Sequence, residues 1–187
     1  MIQDLGKEKA DNALYAKVVE FVDTTFKKER QRRHFERTVF WIEKFLPDAG
    51  EAERIAAYAH DIERGVEGEK EHDYLNVEIL RRHQENGADI IAKFLLKIGA
   101  DENTVFTVKH LVRRHEVGGD VRQEALKDAD SVSYFDMNAE WFVKERVTTQ
   151  GYEKIKGKFD WMFNRINEER KQFARENYEK WSHELEK

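Results

Sequence analysis

The sequence predicts an all-α fold, an orthogonal helical bundle with a long C-terminal helix packed across it. Three observations carry this. Apolar residues recur at three- and four-residue steps through nearly the whole chain. No segment alternates cleanly enough to make a strand, and a single proline interrupts 187 residues. That length fits one domain covering the whole chain, with 40% hydrophobic residues to fill a core and 38% charged residues to solvate its surface.

Several function classes fall away on composition. No apolar run approaches the length of a transmembrane helix, and the start, Met1-Ile2-Gln3-Asp4-Leu5-Gly6-Lys7-Glu8, lacks a secretory hydrophobic region. The chain has no cysteine, which excludes thiolate catalysis, thiolate-bound zinc and a disulfide framework. A cytoplasmic protein is the expectation. The net charge of −5 offers no general attraction to nucleic acid or an anionic membrane, so neither is expected as a partner.

Taken in order, Leu14, Val18, Phe21, Val22 and Thr25 form the first helical stripe, followed by a basic stretch from Lys27 to Arg33. Phe35, Val39, Ile42, Phe45 and Leu46 mark a second helix that stops at Pro47. A small-residue helix with Ile55, Ala59 and Ile62 on its apolar face carries His60-Asp61 and is expected to end at Gly65. A charged loop to Glu71 follows, then a helix capped by Asp73 that runs past His83 to a break at Asn86-Gly87. Ile90, Ile91, Phe94, Leu95 and Ile98 mark the next helix. Asp101 caps another, with Val105, Val108, Leu111, Val112 and His115 on its inner face. Asp120 with Gln123 reads as a capping box for a short helix through Leu126, ahead of Asp128-Ala129-Asp130-Ser131. From Asn138 onward the chain is helical and aromatic: Tyr152, Ile155, Phe159, Met162, Phe163, Ile166, Phe173 and Trp181 recur at helical steps, as a core face or a seam for a homodimer.

The chemistry-bearing residues are histidines and aspartates in a fixed order: His34, His60-Asp61, His83, His115 and Asp130. With the segments His83-Gln84-Glu85-Asn86-Gly87, Val108 to Glu116, and Leu126-Lys127-Asp128-Ala129-Asp130, this set resembles the HD-domain superfamily of metal-dependent phosphohydrolases. The resemblance spans His34 to about Tyr134 and leaves 138–187 as a helical extension. It implies that His34, His60, Asp61 and Asp130 bind a divalent metal ion, with Asp61 serving the reaction as well. Two imidazoles and two carboxylates suit manganese, iron, cobalt, nickel or magnesium and leave positions for water and substrate. The function implied is cleavage of a phosphate ester of a nucleotide or other small phosphorylated metabolite by metal-activated water.

The resemblance leaves a second metal ion open, because His83 and His115 match places that hold either a second ion or substrate. Glu63 stands where a common form of the pattern has glycine; it is either a general acid or base, or a helix-end carboxylate paired with Arg64. Arg37, one turn after His34, and Arg64, just past the His-Asp pair, are the first choices for binding phosphate. His72-Asp73 is a decoy dipeptide in a charged run, Asp128 a supporting hydrogen bonder, and His110 structural. His110 and His115 lie about 140° apart around a helix and cannot share one site. The alternatives to a hydrolase are a non-catalytic metal- or ligand-binding helical module and, behind it, a di-iron oxygenase.

Overall fold

Val18 and Val22 sit one turn apart and are fully buried, which fixes the inner face of the first helix, α1 (Ala13–Phe26). The computed structural model describes residues 13–68 and 73–187; Met1–Glu8 and His72 lie outside the described residues. The start of α1 is tied down by Glu51, whose Oε1 accepts the otherwise orphaned N–H groups of Leu14 and Tyr15, both at 2.9 Å. The next helix, α2 (Glu29–Phe45), buries His34, Phe35, Thr38, Val39, Trp41 and Ile42 along one face. It stops as expected: Leu46, before Pro47, is extended at φ −128°.

The middle of the chain holds α3 (Glu51–Ala59), α4 (Ile62–Glu67), α5 (Val77–Lys97), α6 (Glu102–Val112) and α7 (Val121–Met137). Asp101 caps α6 by accepting from Thr104 N–H at 3.0 Å. Asp120 and Gln123 form the anticipated capping box at the start of α7. Every residue from Ala125 to Phe135 on α7 is buried, and α2 packs along it. The C-terminal third comprises α8 (Ala139–Trp141), a π-turn over Phe142–Arg146, α9 (Val147–Gln150), α10 (Tyr152–Asn164), a 3₁₀ turn over Lys171–Phe173, and α11 (Arg175–Leu185). The molecule is an all-α helical bundle, with no strand among the described residues. Among those residues, no helix is long and apolar enough to cross a membrane.

Several sequence expectations are corrected. The His60-Asp61 helix does not run to Gly65: α3 ends at Ala59, the pair forms the turn into α4, and the chain leaves α4 at Gly68, at φ +84°. Gly65 lies inside α4 for packing reasons. A Cβ there would come within 2.8 Å of both Phe26 and Thr25 on α1. The cap of α5 is Asn76, which accepts from Glu78 and Ile79 N–H at 3.1 Å, while Asp73 closes only the preceding turn. Asn86-Gly87 does not break α5, because Gly87 lies buried against the His60-Asp61 turn. The helix after Asp120 is not short; it carries Asp128, Asp130 and Ser133 within it. The long C-terminal helix is broken at Gly151, at φ +84°, and again between α10 and α11. Its aromatic stripe turns inward: Phe159 and Phe163 are buried, and Phe163 stacks on Tyr178 at 4.2 Å.

Candidate metal centre

Four histidines from four parts of the chain point one ring nitrogen each into a common interior. His34 comes from the middle of α2, His60 from the turn after α3, His83 from α5, and His115 from the turn after α6. All four are buried. In each, the Nδ1 side is already engaged. The Nδ1 of His60 lies 2.8 Å from the Ala57 carbonyl oxygen, and that of His115 lies 2.7 Å from the Val112 carbonyl oxygen. A carbonyl only accepts, so both Nδ1 atoms carry the proton. Ser133 Oγ donates to the His34 carbonyl at 2.8 Å and thus accepts from His34 Nδ1 at 2.9 Å. Glu63 Oε2 holds His83 Nδ1 at 2.8 Å. The Nε2 atoms are left to face the interior.

What they face is carboxylate oxygen. Asp130 Oδ1 lies 3.1 Å from His34 Nε2 and 3.4 Å from His60 Nε2, and Asp61 Oδ2 lies 3.9 Å from His60 Nε2. On the other side Asp61 Oδ1 lies 3.1 Å from His83 Nε2 and 3.8 Å from His115 Nε2. Glu116 Oε1 completes this second set, at 3.8 Å from His115 Nε2 and 4.0 Å from His83 Nε2. Two donor groups result, His34–His60–Asp61 and Asp61–His83–His115–Glu116, and they share Asp61. Neutral imidazole nitrogens and ionised carboxylates have only lone pairs to offer one another, so a cation or a proton must lie between them. The Nε2 atoms of His60 and His115 are fully buried without a well-aligned hydrogen bond. These residues could hold a metal ion.

The electrostatics agree. Burial alone would lower the His60 pKa, but Asp61 and Asp130 outweigh it and raise the imidazole to about 9. Burial and Arg64 pull His83 down, yet its contacts with Asp61 and Glu63 raise it. His115, where burial prevails, is lowered. Burial would raise both aspartates. Arg64 and His60 instead hold Asp61 well below the usual carboxylate range, and Arg165 and His60 do the same for Asp130.

Two guanidinium groups brace the carboxylates. Arg64 forms an ion pair with Asp61 Oδ2 at 3.0 Å and donates to Glu116 Oε1 at 3.1 Å. Arg165, at the end of α10, binds the outer oxygens of both Glu116 and Asp130, and its Nε donates to Ser131 Oγ at 2.7 Å. Gln84 fixes the turn that carries Glu116 by accepting its backbone N–H at 3.0 Å.

The four expected metal ligands, His34, His60, Asp61 and Asp130, and the two residues expected to face a second ion or substrate, His83 and His115, therefore converge. Glu63 stands behind His83, and Arg64 reaches the centre. Arg37 does not: its Nε is bound to Asp136 at 2.5 Å and its guanidinium lies over Phe40. Asp128 accepts from Asn167 N–H and Arg170, tying the C-terminal segment to α7. His110 pairs with Asp120 at the surface. Sequence reasoning missed Glu116, Ser133 and Arg165. Adjacency to His115 was the available signal for Glu116; Arg165 meets the centre only through tertiary packing.

The sequence model of the family described as "Domain of unknown function (DUF4202)" matches residues 18–187. No curated protein and no solved structure matches the chain.

Proposed function

The chain belongs to the DUF4202 family, and we propose that it is a metal-dependent phosphohydrolase of the HD-domain type, cleaving a phosphate ester of a nucleotide or other small phosphorylated metabolite. The observation that carries this reading is the inward Nε2 of four buried histidines against two carboxylate sets that share Asp61. His34, His60, Asp61 and Asp130 would hold one divalent ion, and Asp61, His83, His115 and Glu116 a second. Imidazole and carboxylate donors without thiolate suit manganese, iron, cobalt, nickel or magnesium. Ions bound there supply Lewis acidity toward a phosphoryl oxygen and lower the pKa of water.

The chain's own residues do the positioning. Arg165 takes the outer oxygens of Asp130 and Glu116, which leaves their inner oxygens aimed at the histidines. Ser133, Glu63 and the carbonyls of Ala57 and Val112 hold the imidazoles in the tautomer that ligation needs. Arg64 stands between Asp61 and Glu116 with donors in a planar fork, the geometry that matches two phosphoryl oxygens.

The test is phosphate release from a panel of nucleoside monophosphates and sugar phosphates, by protein stripped of metal and reloaded with each of the five ions. Release with at least one ion is expected, with a loss of about 10³-fold or more in Asp61→Asn. Folded, loaded protein that releases no phosphate from any substrate overturns the reading. Two bound irons without phosphate release would replace it with the oxygenase.

A further inference from the structure

Lys158, on α10, is a cation with which no carboxylate among the described residues pairs. Its Nζ instead stands in an aromatic box, 4.4 Å from the ring centre of Trp161, 5.4 Å from Tyr74 and 6.0 Å from Tyr134. Gly157 lets this box close, since a Cβ there would lie 2.5 Å from Tyr74 Oη. Arg165 lies against the same indole ring at 4.3 Å while binding Asp130 and Glu116, so the box adjoins the metal centre. A second polar group in the box also lacks a partner: Tyr134 is 4% exposed, and its Oη is buried without a hydrogen bond.

An ammonium held by aromatic faces alone and a buried hydroxyl without a hydrogen bond, both beside the ligand-bearing end of the bundle, suit an oxyanion. We propose that Lys158 and Tyr134 form the phosphoryl-binding subsite of the centre, the ammonium pairing with a phosphate oxygen and the phenol donating a hydrogen bond to it. This rests on the phosphohydrolase reading. It accounts for the buried Tyr134 hydroxyl, which without a partner would only cost stability. The charges that act on Lys158 are those of the centre: burial lowers its pKa to about 8, with Arg165 and Arg64 adding to the effect and Glu116 and Asp130 opposing it. Aromatic faces hold the ammonium loosely enough for it to turn to an incoming anion. Tyr74 lies between Asp61 and His83 in the chain and Lys158 follows Asp130 on α10, so the box joins the α4–α5 connection to the C-terminal segment.

Calorimetric titration with inorganic phosphate tests this on manganese-loaded protein, comparing the parent with Lys158→Gln, Lys158→Arg and Tyr134→Phe, with metal content measured on each. Lys158→Gln should weaken phosphate binding about 10- to 100-fold, the range of a charge-assisted hydrogen bond. Lys158→Arg should restore most of it, Tyr134→Phe should weaken it about 3- to 10-fold, and metal content should stay constant. Unchanged phosphate affinity in Lys158→Gln overturns the subsite, as does loss of metal together with phosphate. A parent protein that binds no phosphate overturns both the subsite and the hydrolase reading. Phosphate bound through Lys158 by a protein that hydrolyses nothing keeps the subsite and overturns only the hydrolase.

Discussion

Glu63 holds the Nδ1 of His83 at 2.8 Å and so turns the ring's Nε2 onto Asp61. A carboxylate behind a ligating imidazole fixes its tautomer and raises its basicity. On the metal-centre reading proposed above, this contact makes Glu63 a support for His83. Glu63→Ala is expected to weaken the Asp61–His83–His115–Glu116 site for its ion by about 10- to 100-fold, leaving the other site unchanged. Chelator competition followed by elemental analysis measures this. Full metal affinity with a missing limb in the pH–rate profile would instead make Glu63 a general acid or base.

Glu116 belongs to one donor set only. Glu116→Gln should therefore lower the metal content of a fully loaded chain from two ions to one. Loss of both ions, or of neither, would show that the two sets do not bind separately.

Metal-free protein should carry a proton where the ion would sit. The His60 pKa is raised from 6.5 to about 9. Its protonation therefore stabilises the metal-free fold fully below pH 6.5 and ceases to do so as pH rises through about 9. Melting temperature of the metal-free protein should fall across that window by several degrees. In the loaded protein, where the nitrogen holds an ion, the slope should vanish and loading should release protons. Equal slopes in the two forms would contradict the assignment of His60 as a ligand.

Arg165→Met leaves Asp130 and Glu116 buried without their cation. Breaking one side of a buried ion pair costs about 3–5 kcal/mol, so metal-free Arg165→Met should unfold at much lower denaturant. Added divalent ion should recover part of the loss by supplying the missing charge. A stability change under ~1 kcal/mol would show that Arg165 does not brace the centre.

Gly65 tests the packing that sets the His60-Asp61 turn. A methyl group at that position meets Phe26 and Thr25 on α1 at 2.8 Å, so Gly65→Ala should cost about 1–3 kcal/mol. Chemical denaturation reads it directly, and an unchanged midpoint would place α4 further from α1.

The helical class and the six histidine and aspartate positions that converge were legible in the sequence, because both leave local traces. Stripes of Val18 and Val22 or Phe35, Val39 and Ile42 reveal one buried face, and the His-Asp dipeptide stands out against small residues. Sequence reasoning misread α7 as short because that helix is buried nearly all round: Asp128, Asp130, Ser131 and Ser133 sit inside, so no apolar stripe contrasts with a wet face. It ran the His60-Asp61 helix too far because Gly65 carries two meanings, a helix stop and a close packing point, and only the neighbour on α1 decides between them. Arg165, just past α10, reaches the centre, and Lys158 on α10 stands beside it, through contacts distant in sequence and with no spacing signature. Arg37 looked suitable by proximity to His34, but Asp136 takes up its charge.

The most direct test of the central arrangement is an anomalous difference map from crystals of this chain loaded with manganese. Two peaks are expected flanking the Asp61 carboxylate, one among His34, His60 and Asp130 and the other among His83, His115 and Glu116. A map with no peak beside Asp61 would contradict that arrangement.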